Sequence, residues 1–459
     1  MKNYSLQPTD ENAIELLRTD PIGRNDNVFR FVELLNNIDE CCTIAINGEW
    51  GTGKTFFVRQ VILVLDALNP QSSISEDVRN IIKSLLPERI EDIGDYATVY
   101  YDAWTYDNDD DPILSLIHAT ISSGQSNFAE EKQRSILDGV AALAEALTSR
   151  NITSLLKEAR GKDWFETLKD ADSIRRIVRE FLDALIQEHG NRLVVFVDEL
   201  DRCKPDYAVR FLERIKHYFY DERITFVFSV SVSQLECTVR NYYGAEFNAV
   251  RYLDKFFDLR MSLPGIDHDR FIRERLNLAG NTRLDSVCIE TVKHFGLSLR
   301  ETERYVRLIK ISVRAAFSKM SNTYSDGNAL RFSVMYFIPI MLGLQMTDMR
   351  AYLDFINGIN SGPLAEILMS PNVILLDYLF LNWDEEYNAK THTILVKETK
   401  ESIPVSNRLK EIYSIAFSKG NKSNRWEVNI GDICFSDEIM KEVEEIAALL
   451  SPFSDYRAE

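Results

Sequence analysis

Several features are scarce in this chain, and each scarcity closes a route. Its six cysteines stand at 41, 42, 203, 237, 288 and 434, with no C-x-x-C pair among them. No cysteine–histidine cluster has zinc-ligand spacing, so the thiols read as reduced and the chain as cytoplasmic. The histidines, His118, His189, His217, His268, His294 and His392, are isolated from one another and read as surface or core residues. Positive charge is in deficit: 53 Lys and Arg against 71 Asp and Glu give a formal net charge of −18. A protein that binds nucleic acid over its whole surface needs the opposite balance, although a local basic groove stays open. The first residues, "MKNYSLQPTDENAIELL", are polar where a signal peptide carries its apolar region. The most apolar run, "FSVMYFIPIMLGLQM" (332–346), is shorter than the ~20 residues of a membrane span and is interrupted by Pro339. It reads as a buried helix or helix pair, with no membrane as partner.

What the chain does have is apolar content of 45% over 459 residues, enough for two or three domains with real cores. Val28, Phe31, Val32 and Leu35 recur at helical spacing. Short β-rich runs follow at "CCTIAIN", "YATVYYDAW", "RLVVFVD" and "ITFVFSVSV", with helical patterns between them. The unbroken apolar stretch 193–197 suits a central parallel strand covered on both faces. Strands alternating with helices predict an α/β domain with a mainly parallel sheet. We expect that domain to occupy 1–265, with a helical insertion at about 112–190. A helical region at 266–360 and a mixed α/β region at 361–459 follow, with a strand expected at "THTILVKET".

Gly48, Glu49, Trp50, Gly51, Thr52, Gly53, Lys54 and Thr55 fit G-x-x-x-x-G-K-[ST] at every fixed position. The loop lies between an expected strand and an expected helix beginning near Phe56, the context that a phosphate cradle requires. Glycines let successive N–H groups converge on an oxyanion, and the helix points its positive end at it. Lys54 is placed to reach the β- and γ-phosphates of ATP, and Thr55 to offer its hydroxyl to Mg²⁺. Trp50 is unusual in such a loop; its ring either packs against the loop's base or serves as a lid or a contact with a neighbouring subunit. The second half of the site is "VVFVDELD": Asp198 at a strand end is the metal-side carboxylate and Glu199 the candidate to polarise the attacking water. A carboxylate directly after that Asp marks NTPases with an extra strand between the phosphate-loop strand and the acidic strand. The segment 96–104 is one candidate for that strand; sequence order does not select it.

Four blocks in order resemble the KAP family of P-loop NTPases: "GEWGTGKT", "VYYDAWTYDNDDDPILSLI", "VVFVDELDRCKPDYAVRFLERIK" and "YLDKFFDLRMSLP". They span roughly 20–265. Asp102 stands where the family favours Asn, and Glu199 replaces the second Asp of its Asp-Asp-Leu-Asp-Arg-Cys-x-Pro signature. Many members carry membrane helices between the two Walker motifs; here that interval is too polar to span a bilayer. Ser231 stands where the family's sensor strand ends in Asp, and can still bond a γ-phosphate or water. The segment "HFGLSLRETERYVRLIK" resembles the lid helix of related ATPases, making Arg300 a candidate to approach the γ-phosphate; an exposed Arg300 paired with Glu301 or Glu303 is the alternative. Arg202, Arg251 and Lys255 are candidate arginine-finger-type donors across a subunit interface. The resemblance implies a Mg-dependent ATPase acting as the sensor or regulator of a bacterial anti-phage system, a homo-oligomer working with a separate effector. A scaffold that binds ATP with negligible turnover, or a nucleic-acid-stimulated ATPase, are the alternatives.

Overall fold

A computed structural model describes residues 7–90, 93–122, 171–276, 282–319, 324–375, 381–388, 390–417, 433, 435 and 437–448. The chain forms two compact units, Met1–Gly265 and Ile266–Glu459.

Among the described residues the first unit is built on five strands: β1 (Cys42–Asn47), β2 (Tyr96–Asp102), β3 (Arg192–Asp198), β4 (Ile224–Val230) and β5 (Leu259–Ser262). All neighbours pair in parallel, in the order β2-β3-β4-β1-β5. Alternating residues feed two apolar layers, as the twofold period of a strand demands. Ile44, Ile46, Val194, Phe196 and Val227 face one layer, completed by helices α1 (Asp10–Thr19), α2 (Asn25–Asn36) and α3 (Lys54–Leu68). Ala45, Val195, Val197, Phe226 and Phe228 face the other, completed by α4 (Pro112–Ser122), α5 (Ala171–His189) and α6 (Pro205–Tyr218). Phe196, Phe226 and Phe228 are at most 1% exposed, and such burial stabilises by about 1.5–3 kcal/mol per side chain. The expected helix around "SILDGVAALAEAL" lies outside the described residues.

Strand order decides a point that sequence order left open. The strand between the phosphate-loop strand β1 and the acidic strand β3 is β4, while β2 lies on the outer side of β3. The register then aligns Asp102, Asp198 and Ser229 in one row, and pairs Asn47 with Val230. Because every strand runs the same way, the loops after β1, β3 and β4 open at one edge of the sheet, where ligands of open α/β sheets bind.

In the second unit, helices dominate as far as Leu368, followed by the three-stranded antiparallel sheet β6 (Glu385–Asn388), β7 (Thr393–Val396) and β8 (Ser402–Pro404). The apolar segment forms a helix, Asn328–Thr347, long and apolar enough by length and composition to cross a membrane, and most of it is buried inside the fold. Pro339 is accommodated by a π-helical turn at Ser333–Phe337, which relieves the clash and missing hydrogen bond that proline brings to an α-helix. The Tyr305 hydroxyl donates to the Pro339 carbonyl at 3.1 Å. A buried ion pair joins Arg408 to Glu385 at 2.5 Å.

Candidate functional site

The phosphate loop runs from the end of β1 into α3. Gly51 and Gly53 have φ of 81° and 89°, a region that only glycine enters freely; a side chain at either would strain the cradle. Gly48 donates its N–H to the Val230 carbonyl at 3.2 Å, tying the loop's start to β4. Lys54, the first residue of α3, is 9% exposed. Its ammonium donates to the Gly48 carbonyl at 2.6 Å and to the Glu49 carbonyl at 3.2 Å. Burial lowers its pKa, and the charges of Asp201, Asp198 and Glu199 oppose that shift. Phe56 is buried at the base of α3, and Glu49 is exposed.

Asp198, at the end of β3, is 1% exposed. Burial pushes its carboxyl up, while the Tyr100 hydrogen bond, the nearby hydroxyls of Thr55 and Ser229 and the Lys54 charge hold it down. The Tyr100 bond measures 3.1 Å, and Arg59 lies over the Tyr100 ring at 3.6 Å. The Thr55 hydroxyl thus lies near the Asp198 carboxylate, a placement that would let the two share one Mg²⁺. The donor set fits that ion: a carboxylate and a hydroxyl are hard oxygen ligands, and Mg²⁺ takes its remaining positions from phosphates and water. No group of three or more His, Cys, Asp or Glu suited to a metal occurs among the described residues.

Glu199 follows with φ 62° and ψ 19°; a left-handed non-glycine residue costs about 1–3 kcal/mol and clusters at functional sites. It opens a tight turn, Leu200–Arg202, and its carboxylate is ion-paired with the Arg202 guanidinium. Burial, then the neighbouring Asp198 charge, pushes its carboxyl up to about 7, with Arg202 pulling the other way. A carboxyl that titrates near neutrality is suited to accept a proton from water.

Trp50 neither packs beneath the loop nor is buried. It is 49% exposed, its indole N–H donates to the Asp201 carboxylate at 2.8 Å, and the Arg202 guanidinium lies 5.7 Å from its ring centroid. Asp201, 5% exposed, also accepts the Ser231 N–H at 3.1 Å. Ser231 is fully buried, with its hydroxyl 3.0 Å from that of Ser233. The phosphate loop, the acidic turn and the end of β4 therefore share one carboxylate.

Two further residues enter the site that sequence reasoning did not single out. Arg24, 2% exposed, donates to the Thr52 carbonyl at 2.8 Å and to the Pro264 carbonyl at 2.5 Å. Burial lowers its pKa to about 10. It braces the cradle from behind, and no spacing rule flags a lone arginine before a helix. Tyr100 was hidden inside a strand pattern. Asp102, in the family's Asn position, accepts the Trp104 and Thr105 N–H groups at 3.1 and 3.3 Å, an acceptor's task that Asp and Asn do equally well. Arg251 and Lys255 are exposed in the first unit. Arg300 is exposed near the start of the helix Leu299–Lys319 in the second unit; there Glu301 caps the helix through Ser298, and Glu303 lies 3.9 Å from Arg307.

The glycine cradle, the opposed acidic strand and the interposed β4 define a P-loop NTPase fold of the additional-strand type. The family model described as the KAP family P-loop domain matches residues 26–316, and the chain belongs to that family. No curated protein matches it. Among solved structures it is similar to the ORC2 protein of Aeropyrum pernix in its ADPNP–ADP complexes, at 11% identity over 93% of this chain and 94% of that one. The TM-score of that likeness is 0.35, too low to bear on fold or function.

Proposed function

We propose that the chain binds Mg-ATP in the loop 48–55 and hydrolyses it. The observation that carries this reading is that the parallel strand order places the glycine loop with Lys54 and Thr55, after β1, and Asp198 with Glu199, after β3, at one sheet edge. In it, the loop N–H groups and Lys54 hold the phosphates, Thr55 and Asp198 hold Mg²⁺, and Glu199 orients and deprotonates the attacking water. Mg²⁺, when bound, neutralises phosphate charge. Ser231, through its position beside Asp201, is the candidate sensor of the terminal phosphate, and Arg300 of the helical lid at 266–360 the candidate cation of the second unit. Phosphate release from ATP by the purified chain, lost in Lys54→Ala, tests the reading; equal release from both proteins would refute it.

We further propose that this ATPase is the sensor or regulator of a bacterial anti-phage system, assembling with copies of itself and driving a separate effector. The family resemblance supports this, together with the single nucleotide-type constellation among the described residues. A second reading, a nucleotide-gated scaffold with little turnover, is favoured by one observation: the Glu199 carboxylate is already committed to Arg202.

A further inference from the structure

The Glu199–Arg202 pair extends the hydrolytic reading above, on which this inference rests. The two residues sit at either end of one tight turn, Glu199 in the left-handed region and Arg202 three residues on. Residues three apart eclipse one another in such a turn, so the ion pair is built into four residues of backbone. Both side chains are largely buried, 24% and 21% exposed. The guanidinium is also held from two other segments. Trp50 of the phosphate loop lies 5.7 Å from it, and Trp104, from the turn after β2, lies 5.5 Å from it. Both distances fall within the range of cation–π attraction.

The loop that supplies Trp50 is also the loop that must receive phosphate. Lys54 donates to the carbonyls of Gly48 and Glu49, and the Glu49 carbonyl also accepts the Thr52 hydroxyl at 2.7 Å. Lys54 spends two of its three N–H donors on the two residues that directly precede Trp50, so turning its ammonium toward a phosphate oxygen loosens those bonds. Phosphate entry therefore changes the constraints on the ring against which Arg202 rests. A water-activating carboxylate must be directed at the water, and the ion pair through Oε2 turns the Glu199 carboxylate toward Arg202 instead.

We propose that Arg202 is a latch on Glu199: it holds the hydrolytic carboxylate away from its task and releases it when the phosphate loop, through Trp50, closes on a nucleotide. Arg202 is thus a positioning residue acting in cis, where the sequence offered it as a donor to a neighbouring subunit. The filled loop shifts the balance toward the released state without completing the release, so the latch sets the fraction of nucleotide-bound enzyme able to hydrolyse and with it kcat.

The test compares the full-length chain with Arg202→Ala, Arg202→Gln and Arg202→Lys, using Mg-ATP turnover and equilibrium binding of a fluorescent ATP analogue. Loss of the latch raises kcat roughly 3–10-fold in the Ala and Gln variants with KM within about 2-fold of wild type, and Lys returns kcat toward the wild-type value. A defect in folding or binding would raise KM or abolish binding instead. The Gln variant keeps the bulk of the side chain if Ala fails to fold. Wild-type turnover that depends on Lys54, combined with Ala and Gln variants at or below the wild-type kcat, overturns the latch alone. Absence of turnover in wild type and variants alike, with the analogue still bound, overturns both the latch and the hydrolytic reading.

Discussion

The Trp50 indole donates to the Asp201 carboxylate at 2.8 Å, joining the phosphate loop to the turn that follows the acidic strand. Each residue is placed there by its own segment. The loop brings Trp50 to the end of β1, and the αL turn at Glu199 brings Asp201 to the end of β3. With the Ser231 N–H as its other donor, Asp201 is a buried acceptor that holds three loops in register.

Trp50→Phe keeps a ring beside Arg202 but removes one donor from Asp201. A buried acceptor that loses a partner costs about 1–3 kcal/mol. Urea unfolding of this variant is expected to show that loss, with a weaker affinity for nucleotide; an unchanged midpoint would show that the bond contributes nothing.

Arg24→Ala leaves the Thr52 and Pro264 carbonyls without their donor. We expect a loss of about 2–4 kcal/mol and a KM for ATP raised several-fold, since the braced carbonyl belongs to the cradle. Arg24→Lys cannot reach both carbonyls with a planar fork, and is expected to recover only part of the loss. Thermal unfolding with and without ATP separates the two effects.

Asp66 carries a pH signature. Burial raises its carboxyl to about 6, only partly offset by the Thr98 hydroxyl, which donates to it at 2.7 Å. The folded chain thus holds this proton more tightly than the unfolded chain does. Stability contributed by the protonated group is full below the unfolded pKa, falls as pH rises toward 6, and is gone above it. Asp66→Asn keeps the acceptor for Thr98 without the charge. Its stability gain over wild type is expected to be near zero at pH 4 and to reach about 1–3 kcal/mol at pH 7.5; a gain independent of pH would contradict the assignment.

Gly343 lets two helices of the second unit approach. A Cβ there would sit 2.6 Å from the Phe295 ring and 2.7 Å from the Thr291 methyl. Gly343→Ala is expected to destabilise by about 1–3 kcal/mol through overpacking, lowering the melting temperature of a fragment-independent probe such as near-ultraviolet circular dichroism of the whole chain.

Much of the first unit was legible in the chain because its signals are local. The loop 48–55 fixes its own backbone through Gly51 and Gly53, and the apolar runs of β1, β3 and β4 are long enough to announce buried strands. The strand β5 was not legible: it is four residues long and exposed throughout, so neither apolarity nor alternation marks it. The place of β4 between β1 and β3 is a tertiary fact, set by crossover connections that leave no trace in composition. The same holds within the site. Lys54, Thr55, Asp198 and Glu199 follow from motif chemistry, whereas the Trp50–Asp201 bond and the Arg24 brace join segments whose separation no pattern spans. In the second unit, β7 was readable from "THTILVKET", but its partners β6 and β8 are short and polar.

The central claim is that Glu199 activates water at a site that binds Mg-ATP independently of it. The most direct measurement is single-turnover hydrolysis of bound ATP by Glu199→Gln, alongside equilibrium binding of the same nucleotide. The account predicts affinity within about 3-fold of wild type and a rate lowered by roughly 100-fold or more. A Glu199→Gln protein that binds ATP normally and hydrolyses it at the wild-type rate would contradict it.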